Sequence, residues 1–493
     1  MKLREPSFAT ETPASEVKPH RSPRPLCVDL DGTLVATDTL LESLLVLVKR
    51  RPLYLLLLPW WLIQGKSYFK QKVAEVAPLE VTGLPYRHDF VRFLKEQKEA
   101  GHRLILATAA DRQHALQCSA HLGLFDEVLA SDGKVNLTGQ AKLRAIKSAL
   151  GGESFIYAGN SSADIAIWRN AAQAVPVDVP PRVMSRLRRE GVGIQRVFPR
   201  TARPFRTLWK AIRPLHWAKN LLLFVPAFTA HRLFELSSVA ETLIAFVAFS
   251  LCASAGYVLN DMLDLRADRL HPKKRHRPLA SGELPLGVAY WTVPLLLLAS
   301  AGAASLLNPP FRHLLFFYLV LDVAYSGYLK RLVLADVIAL TAMYTMRIMA
   351  GGAATQISIS HWLLAFSAFM FLSLSLLKRF SEVRTNHLRG ENVVNGRGYI
   401  GVDLEQLAIF GCAGGYAAVL VLALYITSAD VGALYRAPGR LWLLCPLMLF
   451  WISRAWLLAR RGQIEEDPIL FAFKDKTNYF WGLLAALIVA WAA

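Results

Sequence analysis

Cysteine is scarce in this chain and never patterned. Cys27, Cys118, Cys252, Cys412 and Cys445 are scattered among apolar neighbours without a CxxC pair, which excludes a disulfide framework or a zinc site built on thiolates. Charge is also thin, at 19% of residues against 54% hydrophobic ones. A wholly soluble fold seldom shows that balance, so part of the chain is expected in a membrane. Acidic residues are the rarer sign, with 37 against 56 Lys and Arg and a net charge of +19. Because the excess cations flank apolar runs, they read as membrane edges, and nucleic acid is not an expected partner. Residues 1–23 are polar and Pro-rich without an apolar core. They are expected to form a flexible tail and not a signal peptide, leaving the following domain in the cytoplasm.

Mixed sequence continues to about residue 198, then a linker over 199–214 gives way to long apolar runs and short basic loops. Near the start, Leu26-Cys27-Val28 reads as a buried strand running into Asp29-Leu30-Asp31-Gly32-Thr33. Residues two apart on an extended chain face the same way, so Asp29 and Asp31 can converge on one phosphoryl group. One carboxylate suits nucleophilic attack and the other proton transfer, with a divalent cation offsetting their repulsion. A second apolar strand over 103–108 ends in Thr108, Lys142 follows, and a third strand over 154–158 leads into Gly159-Asn160-Ser161-Ser162-Ala163-Asp164. Strands alternating with helices imply a parallel sheet.

These motifs, in this order, resemble the haloacid dehalogenase (HAD) superfamily over about residues 24–180. The resemblance implies an α/β, Rossmannoid phosphatase domain at 24–198 with a helical cap at about 34–100. By it Asp29 is the nucleophile, Asp31 the acid/base, and Thr108 and Lys142 are phosphate binders, while Asp29, Asp31, Asn160 and Asp164 surround one Mg²⁺. Asn160 departs from the family's usual Asp, and an amide is a poorer Mg²⁺ ligand than a carboxylate. A non-catalytic scaffold is therefore the alternative. Within the cap, the apolar run 53–63 between Arg50-Arg51 and Lys66 is too short to span a bilayer. It is either buried in the cap or laid at the membrane interface.

In the second half, hydropathy predicts an all-α bundle over 215–493 with nine spans, at about 217–233, 237–259, 286–307, 312–328, 332–352, 360–379, 405–427, 440–459 and 478–493. With the N-terminus inside, the cytoplasmic loops carry 18 Lys and Arg, against Arg232, Arg312, Arg436 and Arg440 outside. This selects a multi-pass inner-membrane protein with its active sites cytoplasmic and its C-terminus outside. At one span end, Asn260, Asp264 and Asp268 recur at helical spacing with Asp261 beside them. Carboxylates so close call for cations, and Mg²⁺ bridging them to a diphosphate is the remedy. Lys273, Lys274, Arg275 and Arg277 follow at a density suited to a multiply phosphorylated substrate.

With His216-Trp217-Ala218-Lys219-Asn220 and Tyr325-Ser326-Gly327-Tyr328-Leu329-Lys330, this segment resembles the UbiA superfamily of intramembrane transferases over about 205–493. The resemblance implies one or more Mg²⁺ at Asp261, Asp264 and Asp268, with Lys219, Asn260 and Lys330 binding substrate. The second acidic motif of aromatic prenyltransferases is missing, and Lys378-Arg379-Phe380-Ser381-Glu382 stands in its region. Cations there favour an acceptor that is itself a phosphate. The pattern is similar to the polyprenyl-phosphate phosphoribosyltransferase branch, which uses phosphoribosyl pyrophosphate and decaprenyl phosphate to make lipid-linked arabinofuranose precursors for the cell wall. Lys378, Arg379 and Glu382 are then acceptor-site residues. Arg347, a charge inside an apolar span, binds substrate or pairs with Asp336 or Asp322. The competing activity is aromatic prenylation from an isoprenoid diphosphate, and a homo-oligomer is left open. The GxGxxG letters at 396–401 follow no strand and are discounted.

Overall fold

The computed structural model describes residues 23–200, 204–388, 397–464 and 475–492. The tail expected at 1–23 lies almost wholly outside them, as do Gly396 and part of the linker.

The chain divides into two compact units. One comprises Met1–Val35, Gln64–Gln71 and Tyr86–Arg200; the other takes Ala36–Ile63, Lys72–Pro85 and Thr201–Ala493.

The first unit is built on a parallel sheet of β1 (Leu26–Val28), β2 (Leu104–Asp111), β3 (Glu127–Ser131), β4 (Ile156–Gly159) and β5 (Gln173–Pro176), in the order β3-β2-β1-β4-β5. Leu26 pairs with both Leu104 and Ile156, so β1 is central and buried on both faces. This explains its unbroken apolar run. On one side of the sheet Cys27, Ile105, Tyr157, Ile167, Trp168 and Leu187 share a core. In such a sheet ligands bind beyond the carboxyl ends of the strands, and β1 runs directly into Asp29.

The second unit is helical. Among the described residues six helices are long and apolar enough to cross a membrane: Leu236–Leu263, Leu286–Ser305, Ala335–Thr355, His361–His387, Asp403–Ile426 and Pro438–Arg460. Six of the nine expected spans are met by these helices. Residues 217–233 form a 3-10 segment, Pro214–Phe224, and a short helix, Val225–Thr229. Pro309–Gly327 carries Arg312, His313 and Asp322, and the helix Lys476–Ala492 has only 17 residues.

The apolar run expected either within the cap or at an interface is mostly uncovered. Leu53 is 79% exposed, Leu56 80% and Trp60 62%, and in that run Trp61 is buried. Burial in the cap therefore does not account for this segment.

Candidate active sites

In the α/β unit Asp29 stands just past β1, buried, with its Oδ1 accepting from Lys142 Nζ at 2.8 Å. Lys142 comes from the Gln140–Ala149 helix and also donates to Tyr157 Oη at 3.2 Å. Burial raises the Asp29 carboxyl above the ordinary range, and the lysine charge opposes that shift. For Lys142 burial works downward, yet Asp29 and Asp164 outweigh it and the ammonium's pKa is raised.

Asp164 is held by its own turn and by Tyr157 of β4. Its Oδ1 accepts from Tyr157 Oη at 2.9 Å, while Oδ2 accepts from the Asn160 and Ser161 amides at 3.1 and 2.9 Å and from Ser161 Oγ at 3.0 Å. Here it fixes the turn that presents Asn160. The Asn160 amide packs against Gly32, whose φ of +73° a side chain would rarely adopt and where a Cβ would strike that amide. Asn160 thus stands beside the Asp29–Gly32 segment at the carboxyl end of β1, where it would add a neutral oxygen to a Mg²⁺ held by Asp29 and Asp31. Thr108 is fully buried, and its Oγ1 accepts from the Ala110 amide at 3.0 Å. Tyr157, the residue joining Lys142 to Asp164, went unflagged because its strand reads as plain apolar sequence.

In the helical unit, the acidic segment does not gather three carboxylates into one cluster. The helix Leu236–Leu263 ends at this segment and a short helix, Leu265–Leu270, follows, with Asp264 at the junction. The side chains are held in two pairs by cations. Arg277 Nη1 bridges Asp261 Oδ1 at 3.0 Å and Asp268 Oδ2 at 2.6 Å. Lys330 Nζ bridges Asn260 Oδ1 at 3.0 Å and Asp264 Oδ2 at 2.5 Å. Arg213, missed in the sequence because it sits in the linker, grips Asp261 with one nitrogen at 2.5 and 2.7 Å. Burial raises the Asp268 carboxyl, against the pull of Arg277.

Among the described residues no three His, Cys, Asp or Glu side chains come close enough to hold a metal by themselves. Two oxygen pairs each already span one protein cation, however, and Mg²⁺ commonly takes one or two carboxylates and completes its shell with substrate phosphates and water. The donor set fits on those terms. Lys274 is half-buried and acts electrostatically on both Asp268 and Glu382, whereas Lys273 and Arg275 are exposed.

Arg379 is wholly buried. Its Nη2 lies 2.6 Å from Asp336 Oδ2, its Nη1 pairs with Glu382, and Arg397 lies 3.4 Å from Glu382. Tyr399 Oη donates to Asp336 Oδ1 at 2.6 Å. Of the expected acceptor cations, Arg379 is thus tied into the fold, and Lys378 beside it is half-buried. Asp336→Asn should cost about 3–5 kcal/mol, because a buried guanidinium loses one of its two anions. Thermal unfolding in detergent checks this, and an unchanged midpoint would contradict it.

Arg347 pairs with neither Asp336 nor Asp322. It donates to Asn220 Oδ1 at 2.9 Å, the Met343 carbonyl at 2.5 Å and Tyr318 Oη at 2.9 Å, with its guanidinium carbon 4.8 Å from the Tyr318 ring centre. Lys219 is buried, its ammonium 5.7 Å from the Tyr344 ring centre. These two cations form a separate polar centre inside the bundle.

Residues 221–484 match the profile of the UbiA prenyltransferase family, and residues 26–169 that of haloacid dehalogenase-like hydrolases. An uncharacterized protein y4nM from Sinorhizobium fredii is 36% identical over 94% of this chain and 90% of its own length. Nodulation protein NoeC from Azorhizobium caulinodans is 37% identical over 56% of this chain and 89% of its length. A decaprenyl-phosphate phosphoribosyltransferase from Mycobacterium tuberculosis is 37% identical over 35% of this chain and 59% of its length.

Proposed function

We propose that this chain, which belongs to the UbiA prenyltransferase family and carries a HAD-like domain before it, transfers 5-phosphoribose from phosphoribosyl pyrophosphate to a polyprenyl phosphate. The observation that carries this reading is the state of Glu382. In the region where an aromatic prenyltransferase offers a second acidic metal motif, the one carboxylate of the Lys378–Glu382 stretch is committed to Arg379 and Arg397. The surroundings are cationic and suit an anionic acceptor. The likeness to the mycobacterial phosphoribosyltransferase supports the same substrates.

Asp261 and Asp268 on one side, and Asn260 and Asp264 on the other, would hold Mg²⁺, whose chemistry there is to neutralise the pyrophosphate. Arg277, Lys330 and Lys274 supply further positive charge along that substrate. Lys378 orients a polyprenyl phosphate oxygen toward C1 of the ribose. The bond from C1 to the pyrophosphate oxygen breaks, the bond to the acceptor oxygen forms, and pyrophosphate leaves. The acceptor is already ionised, so no strong base is required, and the rate comes from positioning and from stabilising developing charge. The active sites face the cytoplasm, the side that the basic loops favour.

The HAD-like domain then removes the 5-phosphate from the lipid product. Asp29 attacks the phosphorus as the bond to the ribose oxygen breaks, Lys142 holds the charge of Asp29, Asp31 supplies the proton to the leaving ribose oxygen, and water then hydrolyses the aspartyl phosphate to release phosphate. Fusion keeps that product at a high effective concentration.

Lys378→Ala should raise the KM for polyprenyl phosphate by roughly tenfold while moving the KM for phosphoribosyl pyrophosphate less. Steady-state kinetics with both substrates varied decides it. An effect confined to the donor would show that the two substrate ends have been assigned in reverse.

A further inference from the structure

The helix Thr39–Arg50 lies in sequence between the Asp29 and Thr108 motifs of the phosphatase, yet it belongs to the helical unit. The reason is visible in its packing. Leu41 and Leu45 enter an apolar cluster with Val258, Met262, Leu265 and Leu286. Beside them, Glu42 and Arg269 form a bidentate ion pair at 2.5 and 2.9 Å, with side chains only 8% and 11% exposed. Tyr290 Oη donates to the Leu41 carbonyl at 3.2 Å. A buried two-point pair of this kind fixes orientation as well as contact, so the last turn of the helix has a defined address.

That address is the end of the acidic segment. Lys49 Nζ donates to the Leu263 carbonyl at 2.7 Å and lies 3.7 Å from Asp264 Oδ1. Lys330 Nζ already pairs with the other oxygen of Asp264 at 2.5 Å. Two ammonium groups therefore flank one carboxylate. Asp261 and Asp268, for their part, are matched by Arg213 and Arg277. The four cations exceed the three carboxylates they touch, and an excess of positive charge held at fixed points calls for a further anion. The Lys49 side chain is 38% exposed, so its ammonium can turn from a backbone carbonyl to a ligand.

We infer that Lys49 is a pyrophosphate-binding residue of the transferase site, supplied from within the phosphatase sequence. The inference rests on the transferase reading only in taking the Asp261 to Asp268 segment as the pyrophosphate site. It does not depend on which group the pyrophosphate carries. The competing role for Lys49 is to cap the C-terminal end of the Leu236–Leu263 helix, where a cation is favourable in its own right.

The test titrates Mg²⁺ and inorganic pyrophosphate into the detergent-solubilised full chain by calorimetry, comparing wild type, Lys49→Met and Lys49→Arg, with the thermal midpoint of each recorded without ligand. The Met variant should bind about tenfold more weakly, equivalent to about 1.4 kcal/mol. The Arg variant should stay within about threefold of wild type, and the unliganded midpoints should agree. Wild-type affinity in the Met variant, or equal losses in both variants, overturns the inference. So does a wild-type protein that binds no pyrophosphate. A Lys49-dependent pyrophosphate site in a protein that transfers no phosphoribose would uphold the inference and defeat the donor assignment alone.

Discussion

Asp261→Asn should lower phosphoribosyl transfer about 100- to 1000-fold while leaving the protein folded. Asp261 is 3% exposed and takes Arg213 on both oxygens and Arg277 on one. An amide there removes a full negative charge and turns a donor group toward two guanidinium ions. Asp268 is then left as the single carboxylate on Arg277, and the oxygen pair that would hold Mg²⁺ is broken. Folding should survive because Arg213 and Arg277 keep 20% and 26% of their side chains exposed, so water can take over part of their solvation. The measurement is transfer rate beside size-exclusion behaviour in the same detergent. A monodisperse variant with near-wild-type rate would remove Asp261 from the site.

The second large effect is expected at the other domain. Asp29→Asn should abolish release of phosphate from the lipid product, so that polyprenyl-phosphoryl-5-phosphoribose accumulates while transfer proceeds at its normal rate. Asp29 is the carboxylate held by Lys142 at 2.8 Å at the end of the central strand, and an amide cannot serve as the nucleophile. Mass spectrometry of extracted lipids separates the two products. If wild type and variant both stop at the phosphorylated lipid, the Asn160 substitution has silenced the domain and the scaffold reading holds.

The sequence revealed most of the α/β unit where residues were strongly patterned, and less where they were not. The runs ending in Asp29, Thr108 and Asn160 mark three strands because each is apolar and buried on both faces. Glu127–Ser131 and Gln173–Pro176 escape notice, being short edge strands of mixed polarity. The acidic segment was legible as a site, but its division into two cation-bridged pairs needs partners distant in sequence, Arg213 and Lys330. Periodicity carries no information about such contacts. The same holds for Arg379, whose charge suggested a ligand until Asp336 and Glu382 were found around it, and for Glu42 and Lys49, which local sequence assigns to a phosphatase cap. The expected span at 312–328 is a helix, Pro309–Gly327, whose apolar run Arg312, His313 and Asp322 interrupt.

The central claim is most directly tested by supplying the purified full chain with Mg²⁺, ribose-labelled phosphoribosyl pyrophosphate and a polyprenyl phosphate, and in a parallel reaction with an isoprenoid diphosphate and an aromatic acid. Phosphoribosyl transfer puts labelled ribose in the lipid fraction, releases pyrophosphate in equal amount and gives no prenylated aromatic product. Prenylation of the aromatic acid with no label entering the lipid would contradict it.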